Sequence, residues 1–203
     1  MTELDVINEM LATMGEAPLN QIEEDHPYVA AGKRFLSATN QRVQSRGWWF
    51  NTEVLEFVPD AVSKYIYVSN DIISAESLEG YCRYKYTQRG RRLYDLVNGS
   101  FTIRENRVVV RAFREIPFDD LPPLAQDAVS MSAVLRFQQN YDADQTKTSQ
   151  LAADQADAMI LLRAEDTRQK KPNFIYNTTI GNKVAAVTPW GSSRLPYPGI
   201  GVR

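Results

Sequence analysis

His26 and Cys82 are the only histidine and the only cysteine in a chain of 203 residues. A Ser-His-Asp or Cys-His catalytic pair can therefore draw on His26 alone. A Cys/His zinc site lacks ligands, and Cys82 has no partner for an intrachain disulfide. Neither GxxxxGK[ST] nor GxGxxG occurs, so no phosphate-cradling loop is signalled. The remaining chemistry is that of a carboxylate pair, which serves glycoside hydrolysis as acid and base or nucleophile. Glu53, Glu56, Asp119 and Asp120 are available for it, the first two close in sequence to Trp48 and Trp49. With 25 Asp and Glu in the chain, no spacing selects one pair over another. No catalytic residue, metal or cofactor is expected.

The other concentration of functional side chains is positive. Arg89, Arg91 and Arg92 sit in "RGRR". This reads either as a solvated hairpin turn or as a contact with DNA or an acidic protein partner. The formal net charge is −2, so no global basic field holds nucleic acid by counterion release. The hydrophobic content of 43% is enough for one substantial core or two small ones. The first residues, MTELDVINEML, lack a basic stretch and a long apolar run, so no signal peptide is expected, and no apolar run in the sequence approaches the ~20 residues that a membrane span needs.

These residues need elements to position them. A first helix is expected over 2–14, with Thr2 as N-cap, Asp5 in capping-box position and Gly15 at the end. Its apolar stripe is Val6, Ile7, Met10, Leu11 and Met14. A second helix is expected from Asp25, as its cap, to Arg46. Ala31, Phe35, Ala38 and Arg42 would share one side, broadened by Val29, Leu36 and Val43. His26 falls in its first turn, where an exposed cap-region residue is the plainest reading.

Gly47 ends that helix, and from Phe50 to Val58 the period changes to two. Gly47, Trp48, Trp49 and Phe50 thus form a hinge between helix and sheet. Two indoles there suit a buried plug between layers; exposed, they could stack on bases or sugars. Residues 50–113 read as short antiparallel strands. "KYIYVS", "GYCRYKYT", "RRLYDL", "SFTIRE" and "RVVVRAF" are separated by turn signals at Gly90, Asn98-Gly99 and Glu105-Asn106. "SNDIISAESLEG" is ambiguous between strand and loop.

At Phe118 the helical period returns. Asp119 or Asp120 would cap a third helix carrying Leu124, Ala128, Met131 and Leu135 on one face. A fourth, from about Lys147 to Lys170, carries Leu151, Gln155, Ala158, Met159 and Leu162 and ends in basic residues that suit the helix dipole. Residues 172–203 are rich in Pro and Gly, yet keep Phe174, Tyr176, Trp190 and Tyr197. That is too apolar for a solvated tail. An extended C-terminal arm with these four as docking anchors is expected.

The order is helix, helix, β insert, helix, helix, arm, and along it run "VINEMLATMGEAPL" (6–19), "NQRVQSRGWWFNTE" (40–53), "VPDAVSKYIYVSND" (58–71), "YTQRGRRLYDL" (86–96) and "REIPFDDLPPLAQDAVSMSAVLRF" (114–137). In these stretches the chain resembles the tail tubular protein A family, head-to-tail adaptors of short-tailed, podovirus-type bacteriophages. The run Gln44-Ser45-Arg46-Gly47-Trp48-x-Phe50-Asn51 is the most specific.

The resemblance implies a virion structural protein in the tail. Copies would form a twelve-membered ring between the portal protein and a nozzle resembling tail tubular protein B, with double-stranded DNA passing through without sequence recognition. It implies an α+β fold: a four-helix bundle (1–47 and 118–171), an antiparallel β domain (48–117) inserted between helices two and three, and the arm (172–203). It implies no cofactor, no metal and no membrane partner. A glycan-hydrolysing tail enzyme using a carboxylate pair is the alternative, and a nucleic-acid module using Arg89, Arg91 and Arg92 is a third reading.

Overall fold

A computed structural model describes residues 1–22, 26–78, 80–142 and 144–170. The four arm anchors Phe174, Tyr176, Trp190 and Tyr197, and the expected cap Asp25, lie outside these residues. The described chain is α+β. Helices α1 (Glu3–Thr13) and α2 (Pro27–Gln44) come first. Strands β1 (Thr52–Phe57), β2 (Ile72–Ser77), β3 (Tyr86–Arg89), β4 (Arg92–Asp95) and β5 (Val108–Arg114) follow. A 3-10 turn at Phe118–Asp120 then leads to α3 (Pro123–Tyr141) and α4 (Gln145–Lys170). Met1–Asp166 form one compact unit; a second, Thr167–Arg203, is described only in the last turn of α4.

The caps show why the helices begin where they do. Thr2 Oγ1 accepts from Asp5 N while the Asp5 carboxylate accepts from Thr2 N, a reciprocal capping box. His26 is the N-cap of α2: Nδ1 accepts from Tyr28 N at 3.3 Å, and Pro27 opens the first turn. Its ring nitrogen therefore does the capping expected of Asp25. The α3 cap also differs from expectation. Asp119 and Asp120 are spent in the 3-10 turn, and Pro122 occupies the N-cap without a side-chain bond. For α4, Asp144 Oδ1 accepts from Thr146 N and Lys147 N.

The buried face of α2 is rotated from the expected stripe. Val29, Gly32, Leu36 and Val43 are buried together with Thr39, Asn40 and Gln44, whereas Ala38 and Arg42 are exposed. On α3 the buried apolar residues are Ala125, Ala128, Val129, Ala133, Val134 and Phe137, joined by Gln126, Ser130 and Gln138, with Leu124, Met131 and Leu135 only partly covered. One apolar cluster unites α1, α2 and α3, and Ala158, Met159 and Leu162 of α4 join it. Phe35 and Tyr28 meet Phe137 and Tyr141 edge to face. Gly32 lets α1 come close: a Cβ there would stand 3.2 Å from Met10 Sδ.

The sheet is antiparallel in the order β1-β5-β2-β3-β4. β2 settles the ambiguous "SNDIISAESLEG". Three expected strands are smaller than their patterns. "KYIYVS" runs beside β4 through Leu93 N to Ile66 O and Val68 N to Arg91 O, but forms only one bridge, Tyr67 to Arg92. Turns at Asp60–Tyr65 and Ser69–Ile72 take up the chain on either side. "SFTIRE" makes a single bridge, Ser100 to Asp95. In "GYCRYKYT" the ladder begins only at Tyr86. The N–H groups of Arg83 and Tyr84 donate to the Glu105 carboxylate, which also accepts from the Tyr86 hydroxyl at 2.9 Å. A side chain has replaced the neighbouring strand as hydrogen-bond partner.

One sheet face buries Ala75, Tyr86, Leu93, Val108, Val110 and Ala112 under Ile66, Val68 and Ile103 from the long connections. The other face carries Val54, Arg111, Glu76, Thr87 and Tyr94 in register across all five strands. Arg111 pairs with Glu76 across it at 3.6 Å.

Because Leu162 is 0% exposed in the helical cluster, Leu162→Ala should cost about 2–5 kcal/mol. Chemical denaturation followed by circular dichroism checks this; a change below about 0.5 kcal/mol would mean that α4 does not pack on that core.

Candidate functional site

The hinge residues converge at the place where the chain enters the sheet and leaves it again. Gly47 adopts φ +73°, a left-handed conformation that closes α2. A Cβ at this position would lie far inside contact distance of the Phe113 ring on β5. Trp48 is 4% exposed, and its Nε1 donates to Val43 O at 2.7 Å. It is the buried plug. Trp49 and Phe50 are half-buried against the helical cluster, with their rings 5.0 Å apart and nearly perpendicular. Trp49 N donates to Asp166 Oδ1. With one indole buried and the other partly covered, stacking on a flat ligand is not what this pair is arranged for.

Polar side chains complete the junction, and sequence reasoning passed over them. Gln44 is fully buried; its Nε2 donates to Ile116 O at 2.7 Å, and its Oε1 accepts from Ile116 N at 2.9 Å. Asn40 Nδ2 reaches the same carbonyl at 3.0 Å. Asn51, 1% exposed, accepts from Trp48 N and donates to Gln44 O and Arg114 O. Residues 44–51 on the way in and 114–116 on the way out are thus bonded to each other. The available signal was amide side chains at helix spacing, Asn40 and Gln44, beside the aromatic run; apolar periodicity discards such residues.

Just outside, Arg114 makes a bidentate pair with Glu53 at 3.0 and 2.9 Å, and its other guanidinium nitrogen bonds Asp71. The Arg114 hydrogen bonds hold the Glu53 carboxyl below its ordinary value. Glu53 is therefore an ion-pair partner that keeps its negative charge, unlike the raised-pKa acid that glycoside chemistry needs. Glu56 forms an exposed pair with Arg107 at 3.4 Å. Asp119 and Asp120 are exposed in the 3-10 turn. Glu53 and Glu56 lie three residues apart on β1, on opposite sheet faces.

The arginine turn is also engaged locally. Gly90 has φ +61° between β3 and β4. Arg89 lies over the Tyr94 ring at 3.7 Å, and Arg92 over Phe101 at 4.1 Å. Arg91 donates to Ser69 O at 2.8 Å. Arg89 and Arg91 stay exposed while Arg92 is half-buried. This is a cation–aromatic surface fixed to the hairpin. Among the described residues no group of three or more His, Cys, Asp or Glu could hold a metal, and no helix is long and apolar enough to cross a membrane.

The described residues form a helical core with an antiparallel sheet let in between α2 and α3, and a buried junction joins the two. Comparison with known proteins specifies the class. The family model described as "Tail tubular protein" matches residues 4–172, and the chain belongs to that family of bacteriophage tail proteins. Tail tubular protein A of Klebsiella phage KP34 is similar at 28% identity over 124 residues, covering 60% of this chain. The matched stretch spans 63% of that relative's length.

Two measurements test the junction. Gly47→Ala should destabilise the chain by about 1–3 kcal/mol, from forced φ and overpacking together. Phe113→Leu in the same chain should recover part of the loss, since it vacates the contested space. Full-strength melting of the single variant would contradict the geometry. The second concerns pH. Glu53 has a lowered folded pKa, so the unfolded chain binds more protons in the window just below 4.5. The pair's stabilisation is present above that value and is lost as pH falls through the folded pKa. Glu53→Gln should flatten this part of the stability–pH curve; an unchanged curve would remove the pair from the account.

Proposed function

We propose that the protein is a head-to-tail adaptor: a virion structural protein whose copies form a ring, twelve-fold as in the adaptors it resembles, between the portal protein and the tail nozzle, with DNA passing through the lumen. The observation that carries this reading is the family match over residues 4–172. It includes both helical segments, the whole sheet and the junction between them.

The physical chemistry supports the reading. A ring protein needs a rigid protomer, because angular error accumulates at each contact and spoils closure. The Gln44–Asn51–Ile116 bonds and the Trp48 plug stiffen the one place where helix and sheet could hinge. The near-neutral charge of −2 suits a conduit. A strongly basic lumen would hold DNA by counterion release instead of letting it slide. The helical part reads as a four-helix bundle (1–47 and 118–171), the sheet (48–117) as its inserted domain, and residues 172–203 as an arm that docks on a neighbour through Phe174, Tyr176, Trp190 and Tyr197. Arg89, Arg91 and Arg92 present a cation–aromatic surface to a protein partner.

The test is genetic and visual. A phage lacking this gene, grown without complementation, should yield DNA-containing heads without tails by negative-stain microscopy. The full chain supplied in trans should restore tailed, infectious particles. Tailed particles at wild-type yield in its absence would overturn the adaptor reading. A chain ending at Lys171 should fold but fail to restore tails.

A further inference from the structure

A cleft of about 230 Å³ opens between α2, α3 and α4, lined by Arg42, Arg46 and Arg136 together with Val43, Leu135 and Met159. Arg42 lies in the last turn of α2, and Arg46 stands just past its C-cap. Both are exposed. The negative end of the helix dipole accounts for two cations there. It does not account for Arg136, which comes from α3 and is held in place by Thr39 Oγ1 at 3.2 Å and by the face of Phe35. Among the described residues no carboxylate forms an ion pair with any of the three. Three guanidinium groups around a concavity repel one another and favour an anion. The apolar part of the lining suits an anion on a hydrocarbon stem. Val43, Leu135 and Met159 give the cleft an apolar wall that fits a protein side chain better than a sugar-phosphate backbone.

A complementary surface exists on the same protomer. Asp5 and Glu9 lie one turn apart on α1, and the Met1 ammonium at that end of the helix reaches Gln126 Oε1 at 3.5 Å, beside Asp127 of α3. Burial, and then the charges of Asp127 and Asp5, push the Glu9 carboxyl above its ordinary value. Among the described residues no Lys or Arg forms an ion pair with these three acids. Asp127 and Arg136 are nine residues apart on α3. At about 100° per residue this puts them on opposite sides of the helix. One chain cannot bring its own acids to its own cleft. Two chains in head-to-tail contact can, and that is the heterologous geometry that closes rings.

We propose that the Arg42–Arg46–Arg136 cleft of one copy receives the Glu9 carboxylate, flanked by Asp5 and Asp127, of the next copy. The inference rests on the adaptor reading and names the contact by which copies assemble. Pairing brings opposite charges together across the contact and gives the ring a direction.

The test uses the full chain carrying Cys82→Ser, supplied in trans to a phage lacking the gene. Arg42→Cys and Glu9→Cys are placed in separate chains and expressed together, and purified particles are treated with a short bifunctional thiol reagent. Covalent dimers should form only when both variants are present. Particles that contain both chains yet yield no dimer would overturn this contact while leaving the adaptor reading intact. Absence of the wild-type chain from particles would overturn both. In parallel, Arg42→Glu with Arg46→Glu should lower incorporation by at least about tenfold. Glu9→Lys with Asp127→Lys in a co-expressed chain should restore it. Circular dichroism of the purified double variant should match wild type, because both arginines are exposed. Normal incorporation of the reversed variant with reduced DNA content in particles would assign the cleft to phosphate groups and overturn the proposal.

Discussion

Everything in the described chain hangs on the pair of hydrogen bonds between the Gln44 side chain and the backbone of Ile116. Gln44 is the last residue of α2, and Ile116 lies between β5 and the turn before α3. A fully buried amide with a missing partner would cost about 1–3 kcal/mol. Such a group has few alternatives to its native position. Asn40 shares the Ile116 carbonyl, and Asn51 ties Gln44 O to Arg114 O. The helical cluster and the sheet cluster are separate apolar bodies. Hydrophobic burial alone, being non-directional, would let them pivot. The amide network supplies the direction, and Trp48 fills the space that a pivot would need.

The same division of labour recurs within the sheet. Asp95 is fully buried; burial pushes its carboxyl up, but hydrogen bonds from Asn98 and Val97 outweigh this and hold it low. Glu105 gathers two backbone donors and the Tyr86 hydroxyl. Burial, with the Glu105 bond, pushes the Tyr86 hydroxyl well up, so it remains a donor. Where the strand ladder stops, a carboxylate takes over its hydrogen-bonding duties. That is how a sheet with two four-residue strands keeps long connections folded over its core.

Much of this was legible in the sequence. Both periodicities, the Thr2 capping box and the change of period at Gly47 are local signals, and local hydrogen bonds realise them. The α+β order followed directly, and the motifs around "RGWWFN" carried the family. What escaped was non-local. The sequence of Tyr81–Tyr84 alternates like a strand, but nothing in it says that Glu105, some twenty residues on, will satisfy its backbone. The α2 stripe came out rotated because Thr39, Asn40 and Gln44 are buried by partnership and not by hydrophobicity. Arg114, the centre of an ion triad, looks in sequence like any strand residue. Its partners Glu53 and Asp71 become neighbours only when β1 and β2 both pair with β5. The arginine cleft was invisible for the same reason: its members come from two helices.

The junction also changes what the excursion into the sheet means for the rest of the chain. Residues 44 and 116 are bonded side chain to backbone, so the helices experience everything between them as a closed loop with fixed ends. Closing entropy grows only logarithmically with loop length. Lengthening, shortening or redecorating the strands alters the helical core hardly at all, provided the two ends still meet. Such a chain can exchange the surface that its sheet presents while the helical body stays the same. It is a socket with a replaceable fitting.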